Sequence, residues 1–161
     1  MAEIKTSASS MATLRLMSDY KSITREPPPG ASARPVSEDN LFVWVATVFG
    51  PTETPWEGGI FQLKLTFPET YPDKPPRVRF TGEVFHPNVF ADGNLCLDII
   101  QDKWSPVYSV ASILTSIQSL LTDPNPNSPA NPEAAQLYRT DKKLYNRRVR
   151  KCFERSLEDP Q

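Results

Sequence analysis

The first periodic pattern along the chain is helical and runs from about Thr13 to Arg25. Apolar residues recur there at helical spacing and polar residues occupy the opposite side, which is typical of a helix packed on a core. The apolar stripe consists of Leu16, Met17, Tyr20 and Ile23. Pro27 fixes its own backbone dihedral and lacks an N–H, so it ends this predicted helix.

Three later segments have the patterns of β-strands. Residues 41–49 are rich in β-branched and aromatic side chains and end at Gly50-Pro51, whereas residues 61–67 alternate between apolar and polar. Residues 77–80 alternate again after a proline-rich bend. The connections between these segments are too short to hold crossover helices, so the pattern predicts an antiparallel meander.

The helical period returns in the last third of the chain. Apolar residues at helical spacing follow Ser109, which predicts an N-cap there, and Asp123-Pro124 predicts the end of that helix. A proline-broken loop over residues 124–132 leads into helical sequence from about Glu133 to Ser156. One helix, then strands, then helices indicate an α+β domain with helices packed on one face of the sheet.

Length and composition set the class of protein. The chain has 161 residues, 39% of them apolar, which suits one domain with one core. We predict a leader without fixed structure at residues 1–10, a single domain at 11–158 and a tail at 159–161. The 17 prolines predict long, ordered connections rather than a linker.

Charge and hydropathy exclude several partners. The formal net charge of −1 gives no electrostatic basis for direct nucleic-acid binding, and no apolar run is long enough for a membrane span. The N-terminus lacks the apolar segment of a signal peptide, so we expect a protein of the cell interior whose Cys96 and Cys152 are free thiols.

The strongest candidate for chemistry is Cys96. It follows the turn formers Asp92-Gly93-Asn94, which place it on or beside a loop, with the amide of Asn88 and the carboxylate of Asp98 nearby in sequence. Such a thiol could carry an acyl group; the alternative is a small buried hydrophobic residue. A thiol hydrolase would need His86, the single histidine, as its base, but we expect its ring nitrogens to support the loop instead.

The motifs around Cys96 resemble those of the ubiquitin-conjugating enzymes. They are His86-Pro87-Asn88, Cys96-Leu97-Asp98-Ile99 and Trp104-Ser105-Pro106, preceded by Gly50-Pro51, Gly58-Gly59, Phe67-Pro68 and residues 71–76. The resemblance runs from about Met11 to Ser156 and implies the fold of that family, with an N-terminal helix, a four-stranded antiparallel meander, an active-site loop and further helices. Within the family, residues 92–93 and 123–131 resemble the DNA-repair type, which is nuclear and cytosolic and monoubiquitinates histones and the sliding clamp.

The resemblance implies a reaction. Cys96 would accept ubiquitin as a thioester from the activating enzyme, which uses ATP, and a ligase, expected to be of RING type, would bring the acceptor lysine. No bound cofactor or metal is implied. Asn88 would donate to the oxyanion or pin the active-site loop. Asp98 would orient the lysine or cap the turn after the thiol. Ser128 stands where relatives often carry an acidic residue, so it would act on the lysine, be phosphorylated before Pro129, or be a plain loop serine.

The resemblance also implies partner surfaces. The first helix, with Arg15, Lys21 and Arg25, would meet the activating enzyme and ligases, and the loops at Asp73 and at Pro106-Val107 would contact the ligase. Ser32 matches a position where a second ubiquitin binds. Ordinary solvated surface is the competing interpretation for all of these residues. It also competes with an acidic-partner contact for the eight basic residues between Arg139 and Arg155.

Three other functions are weighed. A non-catalytic ubiquitin-binding module of the same fold would not need the complete Cys96 motif, and a thiol hydrolase is not supported by a histidine followed by proline. A ubiquitin-like modifier in place of ubiquitin is excluded only by the resemblance. Cys152, beside Phe153 in the last predicted helix, is expected to be a packing residue.

Overall fold

Four antiparallel strands in chain order form one sheet. In the computed structural model, which describes residues 7–158, they are β1 (Ala31–Ser37), β2 (Asn40–Phe49), β3 (Ile60–Thr66) and β4 (Arg77–Phe80). Each strand pairs with the next, which confirms the predicted meander. The sequence pattern predicts only the last three. The pattern of β1 is interrupted by Pro35, and the register with β2 shifts between Pro35 and Ser37.

Over residues 7–158, four helices and a short 3-10 helix accompany the sheet. They are α1 (Ser7–Arg25), the 3-10 helix (Asp98–Ile100), α2 (Val110–Thr122), α3 (Pro132–Thr140) and α4 (Lys142–Glu158). The helix α1 starts six residues before the predicted Thr13, so residues 7–10 of the predicted leader are helical. The remainder of that leader and the tail 159–161 lie outside the described residues. None of the helices described is both long and apolar enough to cross a membrane.

The inward face of α1 differs from the predicted stripe. Leu16 and Ile23 are buried as expected, but Met17 and Tyr20 are 43% and 41% exposed. Ala12 and Asp19 are buried in their place, Asp19 to 5% exposure. A carboxylate can be buried here because Arg15 and Tyr71 bond to it.

The helix α2 begins and ends where the sequence predicted. The Ser109 hydroxyl accepts from the Ser112 N–H at 3.2 Å, and the Ser112 hydroxyl accepts from the Ser109 N–H at 3.3 Å, a reciprocal capping box. Asp123 is the C-cap. The apolar face of α2 is buried against the core through Val110, Ile113, Leu114, Ile117 and Leu121.

The helical sequence predicted from Glu133 to Ser156 is two helices. The backbone leaves helical geometry at Asp141, whose φ is −150° and ψ is 77°. The Asp141 carboxylate accepts from the Leu144 N–H at 3.1 Å and so caps the start of α4. Residues of both helices join the inner face of the sheet in one core, in which the largest fully buried side chains include Trp44, Trp56, Tyr71, Phe80 and Tyr145.

Candidate active site

A tight turn at Asp92-Gly93-Asn94 precedes Cys96. The Asp92 carboxylate accepts from the Asn94 N–H at 3.0 Å and from the Asn94 side-chain amide at 2.9 Å. Gly93 has a φ of +92°, and a Cβ there would lie 2.1 Å from the carbonyl oxygen of Phe80. The turn therefore requires glycine both for its backbone conformation and for the close approach to β4.

Cys96 lies on a loop between this turn and the 3-10 helix, as predicted. It is partly exposed, and its N–H donates to the carbonyl oxygen of Asn88 at 2.8 Å. That bond joins the two halves of the segment 86–98. The thiol is thus held on a short loop with its backbone fixed on one side.

The second thiol is in a different environment. Cys152 on α4 is 5% exposed, and its Sγ–H donates to the carbonyl oxygen of Glu83 at 3.5 Å. Burial, with the Glu83 carboxylate adding to it, raises the pKa of Cys152. The packing role predicted for Cys152 agrees with this, and Cys96 is the accessible thiol of the two.

His86 is a structural residue, as predicted. It is fully buried, its Nε2–H donates to the carbonyl oxygen of Leu120 at 2.7 Å, and its Nδ1 accepts from the N–H of Asn88 at 2.9 Å. Burial lowers the pKa of His86 to about 4. The ring is therefore neutral, and both nitrogens already have partners, so it is not a free base for Cys96.

The side chain of Asn88 joins the cysteine segment to the loop that follows α2. Its Nδ2 donates to the carbonyl oxygens of Asn125 at 2.8 Å and Ser128 at 3.2 Å, and its Oδ1 accepts from the Asn125 N–H at 2.8 Å. Asn88 is 1% exposed. Of the two predicted roles, loop support is the one that these bonds perform, since both amide protons point at main-chain carbonyls.

Ser128 lies at the exposed outer part of the same loop. Its main-chain oxygen accepts from Asn88, whereas the local turn is capped by the Asn125 side chain, which accepts from the Asn127 N–H at 3.2 Å. The Asn125 side chain thus caps this turn, and the three predicted interpretations of Ser128 stay open. The serine hydroxyl is open to solvent on a loop that Asn88 connects to the thiol segment.

Asp98 does not cap the turn after the thiol with its side chain, contrary to one of its predicted alternatives. The N-cap position of the 3-10 helix is Leu97, with no side-chain cap. The Asp98 main-chain oxygen accepts from the N–H groups of Gln101 and Lys103, each at 3.0 Å. Its carboxylate is exposed, 3.9 Å from the Lys103 ammonium, and so faces solvent beside the thiol loop.

A groove of about 290 Å³ lies beside the segment that directly follows Cys96. Its walls are the three residues that follow Cys96 together with residues of α2 and its C-cap, several of them polar. They are Leu97, Asp98, Ile99, Thr115, Ser116, Ser119, Leu120 and Asp123.

Arg15, predicted as a partner-binding residue, is engaged inside the molecule. Its guanidinium bonds to the Asp19 carboxylate at 3.2 Å and donates to the carbonyl oxygen of Tyr108 at 2.6 Å. The Tyr71 hydroxyl donates to the other carboxylate oxygen of Asp19. Burial and Asp19 raise the pKa of Tyr71. No sequence pattern predicts the contact between Asp19 and Tyr71, which are 52 residues apart.

These contacts bring the predicted ligase surfaces to one corner of the molecule. Trp104 adds a bond from its indole N–H to the carbonyl oxygen of Pro72 at 2.8 Å, next to Asp73. The side chains exposed around α1 and the two loops include those of Lys21, Arg25, Asp73, Pro106 and Val107, the last at 80% exposure. Ser32 is exposed on the outer face of β1, opposite Thr47 of β2.

Comparison with known proteins agrees with this geometry. The family model described as "Ubiquitin-conjugating enzyme" matches residues 15–153. Among curated proteins, the chain is 59% identical over 142 residues to "Ubiquitin-conjugating enzyme E2 2" of Mycosarcoma maydis, an alignment that covers 88% of this chain and 76% of the relative.

Two further relatives come from an animal and a plant. "Ubiquitin-conjugating enzyme E2 1" of Caenorhabditis elegans is 57% identical over 142 residues, which cover 88% of this chain and 73% of the relative. "Ubiquitin-conjugating enzyme E2 3" of Arabidopsis thaliana is 55% identical over 145 residues, which cover 90% of this chain and 96% of the relative.

Proposed function

Because the chain belongs to the ubiquitin-conjugating enzyme family, whose members transfer ubiquitin through a cysteine thioester, we propose that Cys96 is the residue that carries the thioester. The observation that supports this assignment most strongly is the contrast between the two thiols. Cys96 is partly exposed on a loop beside a groove, whereas Cys152 is buried in the core.

The reaction has two acyl transfers. The Cys96 thiolate attacks the carbonyl carbon of ubiquitin held on the activating enzyme; a new C–S bond forms and the thiolate of the activating enzyme leaves. The neutral amine of an acceptor lysine then attacks the same carbonyl, an amide bond forms, and the Cys96 thiolate leaves while the extra proton of the amine passes to water. ATP is used upstream by the activating enzyme, so this chain needs no bound cofactor.

The groove and the pinned loop position this reaction. The groove beside Cys96 holds the extended end of ubiquitin, and a lysine that enters this partly dry region has its pKa lowered by desolvation. Asn88 keeps the loop 124–131 at the rim of the site through its three bonds. A donor to the tetrahedral oxyanion is then available from Asn88 when its weaker bond, to Ser128 at 3.2 Å, opens.

The exposed residues of α1 and of the loops at Asp73 and Pro106-Val107 are the proposed contacts with partner proteins. Lys21 and Arg25 of α1 meet the activating enzyme and a ligase of RING type, and Asp73, Pro106 and Val107 contact the ligase. Their exposure and their arrangement around one corner support this assignment. Ser32, on the outer face of the sheet, is available to a second ubiquitin.

The cellular role is the finer part of the proposal. Residues 92–93 and 123–131 resemble the type that acts in DNA repair and chromatin, so the substrates are histones and the sliding clamp, in the nucleus and cytoplasm. The test is ubiquitination of reconstituted nucleosomes with a RING ligase. Transfer to free lysine without any transfer to histone, with each RING ligase tried, would contradict this role.

The thioester assignment has a direct test. The protein is incubated with activating enzyme, ATP and ubiquitin, and gels are run with and without reductant. We expect a reductant-sensitive adduct in the unchanged protein and in Cys152→Ala, and a reductant-resistant ester in Cys96→Ser. A thioester that persists in Cys96→Ser or is lost only in Cys152→Ala would overturn the assignment.

Ser128 is proposed as a modification site next to the thioester. A phosphate on its exposed hydroxyl would place negative charge where the acceptor lysine enters and attract the ammonium form to the site. Ser128→Asp is compared with Ser128→Asn in single-turnover discharge to free lysine. Faster discharge in the aspartate variant alone supports the proposal, and equal rates in both variants contradict it.

A further inference from the structure

The outer face of the sheet carries four basic side chains. Arg34 of β1 is opposite Val45 of β2, Val45 is opposite Lys64 of β3, and Lys64 is opposite Arg79 of β4. Arg77 lies two residues before Arg79 on the same face. All four basic side chains are exposed, so this face is positive although the chain as a whole has a net charge of −1.

Three of these cations converge on one cavity. Lys64, Arg77 and Arg79, with Thr66, Val78 and Asn94, line a cavity of about 200 Å³ at the β3–β4 edge of the sheet. We call these six residues the basic pocket. Arg34 is not among them, because it lies two strands away from Lys64, roughly 10 Å at the usual spacing of strands.

Within the part of the chain whose side chains are described, no salt bridge includes a residue of the basic pocket, and the Asp92 carboxylate, which interacts electrostatically with Arg79, offsets only part of the three positive charges. The ion pairs in that part are Arg15–Asp19, Lys103–Asp98, Arg148–Glu133 and Arg155–Glu83. Lys64 and Arg79 are directly opposite each other, and like charges in such cross-strand positions destabilise a sheet. An anionic partner would relieve this repulsion.

The basic pocket is also close to the thiol loop. Asn94 pairs with Arg79 in an antiparallel bridge and precedes Cys96 by only two residues, which span at most about 7 Å of extended chain. A protein segment with its lysine at Cys96 would reach the pocket with residues about three to six positions away from that lysine.

We propose that the basic pocket binds an acidic segment of the acceptor protein, Asp or Glu residues a few positions from the lysine that receives ubiquitin. The proposal rests on the function proposed for Cys96 and adds a preference among acceptors. Lys64, Arg77 and Arg79 supply the charge, and the side-chain amide of Asn94 supplies a polar wall on the thiol side. The expected ligands are carboxylates, because exposed cations select a binding partner chiefly by its negative charge.

The test uses matched peptides. One has a lysine with acidic residues three to six positions away on either side, and the other has Asn and Gln in their place. Ubiquitin-charged protein is discharged to each peptide in single turnover, and the binding of each peptide to uncharged protein is measured by fluorescence anisotropy. The variants are Arg77→Ala/Arg79→Ala and, as the matched control on the same face, Arg34→Ala.

The unchanged protein and Arg34→Ala are expected to favour the acidic peptide, and the double variant is expected to lose roughly threefold to tenfold of that preference. The preference should shrink at high ionic strength because the pocket is exposed. Arg77→Glu/Arg79→Glu should instead favour a peptide with lysines at the acidic positions. Discharge to free lysine should be equal in all variants, which shows that they are folded and charged.

Equal binding of the two peptides to the unchanged protein would overturn the proposal for the basic pocket. So would a loss of preference in Arg34→Ala equal to that in Arg77→Ala/Arg79→Ala. Binding of duplex DNA that abolishes peptide discrimination in the unchanged protein would also overturn it, since it would identify a different class of partner. Failure of the Cys96 assignment would appear separately, as the absence of a thioester, while the anisotropy measurement would still decide the pocket.

Discussion

At the residue scale, Asn88 connects the cysteine segment to the loop that follows α2. One buried side chain makes three bonds to the loop 124–131, and its main-chain oxygen holds the N–H of Cys96. Removal of the amide would leave the Asn125 N–H and two carbonyls without their partner in a partly buried region. Buried polar groups without partners are costly, so this residue matters for stability as well as for chemistry.

Asn88→Ala should therefore lower the free energy of unfolding by about 2–3 kcal/mol, measured by urea denaturation. It should still form the thioester, because Cys96 is unchanged, but discharge to lysine should slow. Asn127→Ala, an exposed asparagine on the same loop, is the control and should change stability by less than about 0.5 kcal/mol. Equal stability of the two variants would contradict the loop-support role.

The second residue-scale prediction concerns Gly93. Gly93→Ala would place a Cβ 2.1 Å from the Phe80 carbonyl oxygen at a φ of +92°, so the turn must shift. We expect a loss of at least about 2 kcal/mol in the free energy of unfolding. Gly82→Ala is the matched control, since a Cβ there meets no atom within 4 Å. A similar small effect in both variants would show that the turn adapts freely.

At the scale of elements, the bond between α1 and the loop at Tyr71 connects parts that are distant in sequence. Asp19 is buried between Arg15 and the Tyr71 hydroxyl, and Arg15 continues to the main chain at Tyr108. This polar contact orders the corner where the proposed ligase surfaces meet. Its loss should loosen the corner before it unfolds the core.

Tyr71→Phe keeps the ring but removes the hydroxyl from the buried carboxylate. We expect the free energy of unfolding to fall by about 2 kcal/mol, a typical cost for the loss of a bond to a charged group. Tyr20→Phe, on the exposed side of α1, is the control and should be nearly neutral. A thermal scan of both variants would check this, and equal midpoints would contradict the importance of the bond.

The same elements show what a sequence can predict. Local signals sufficed for α2, since Ser109, Ser112 and Asp123 are adjacent to the ends that they cap. Local signals did not predict which face of α1 is buried, because the burial of Asp19 depends on Tyr71, far along the chain. The break at Asp141 was missed because a capping aspartate between two helical patterns resembles an ordinary polar helix position.

Some features of the candidate site were likewise predictable from the sequence, and others were not. The turn before Cys96 and the structural role of His86 were predictable from neighbouring residues and from the chemistry of the ring. The bonds from Asn88 to Asn125 and Ser128 were not, because they span 37 to 40 residues and depend on where α2 places the following loop. The basic pocket needed the strand register, since only the pairing places Lys64 opposite Arg79.

At the scale of the whole molecule, the buried His86 makes global stability depend on pH. The folded pKa is about 4, below the ordinary value of 6.5, so the unfolded chain binds a proton that the folded chain excludes. The stability that this neutral ring contributes is present above pH 6.5 and is lost as the pH falls toward 4.

Between pH 7.5 and pH 5.0 we expect the free energy of unfolding to fall by about 2 kcal/mol from this residue, measured by urea titrations at matched ionic strength. The exposed carboxylates of Asp92 and Glu133 have pKa values below their ordinary range, because of bonds to Asn94 and to Arg148 respectively. Their contributions are lost only at lower pH. A flat profile over this window would contradict a neutral buried His86.

The three bonds of Asn88 also turn one backbone position into a reporter of the site. The Asn125 N–H is held by the Asn88 side chain rather than by a helix or strand, so its amide proton exchanges with solvent only when the loop separates from the cysteine segment. Hydrogen exchange at Asn125 in the free and ubiquitin-loaded protein would thus measure how often the assembled site opens, without any acceptor present.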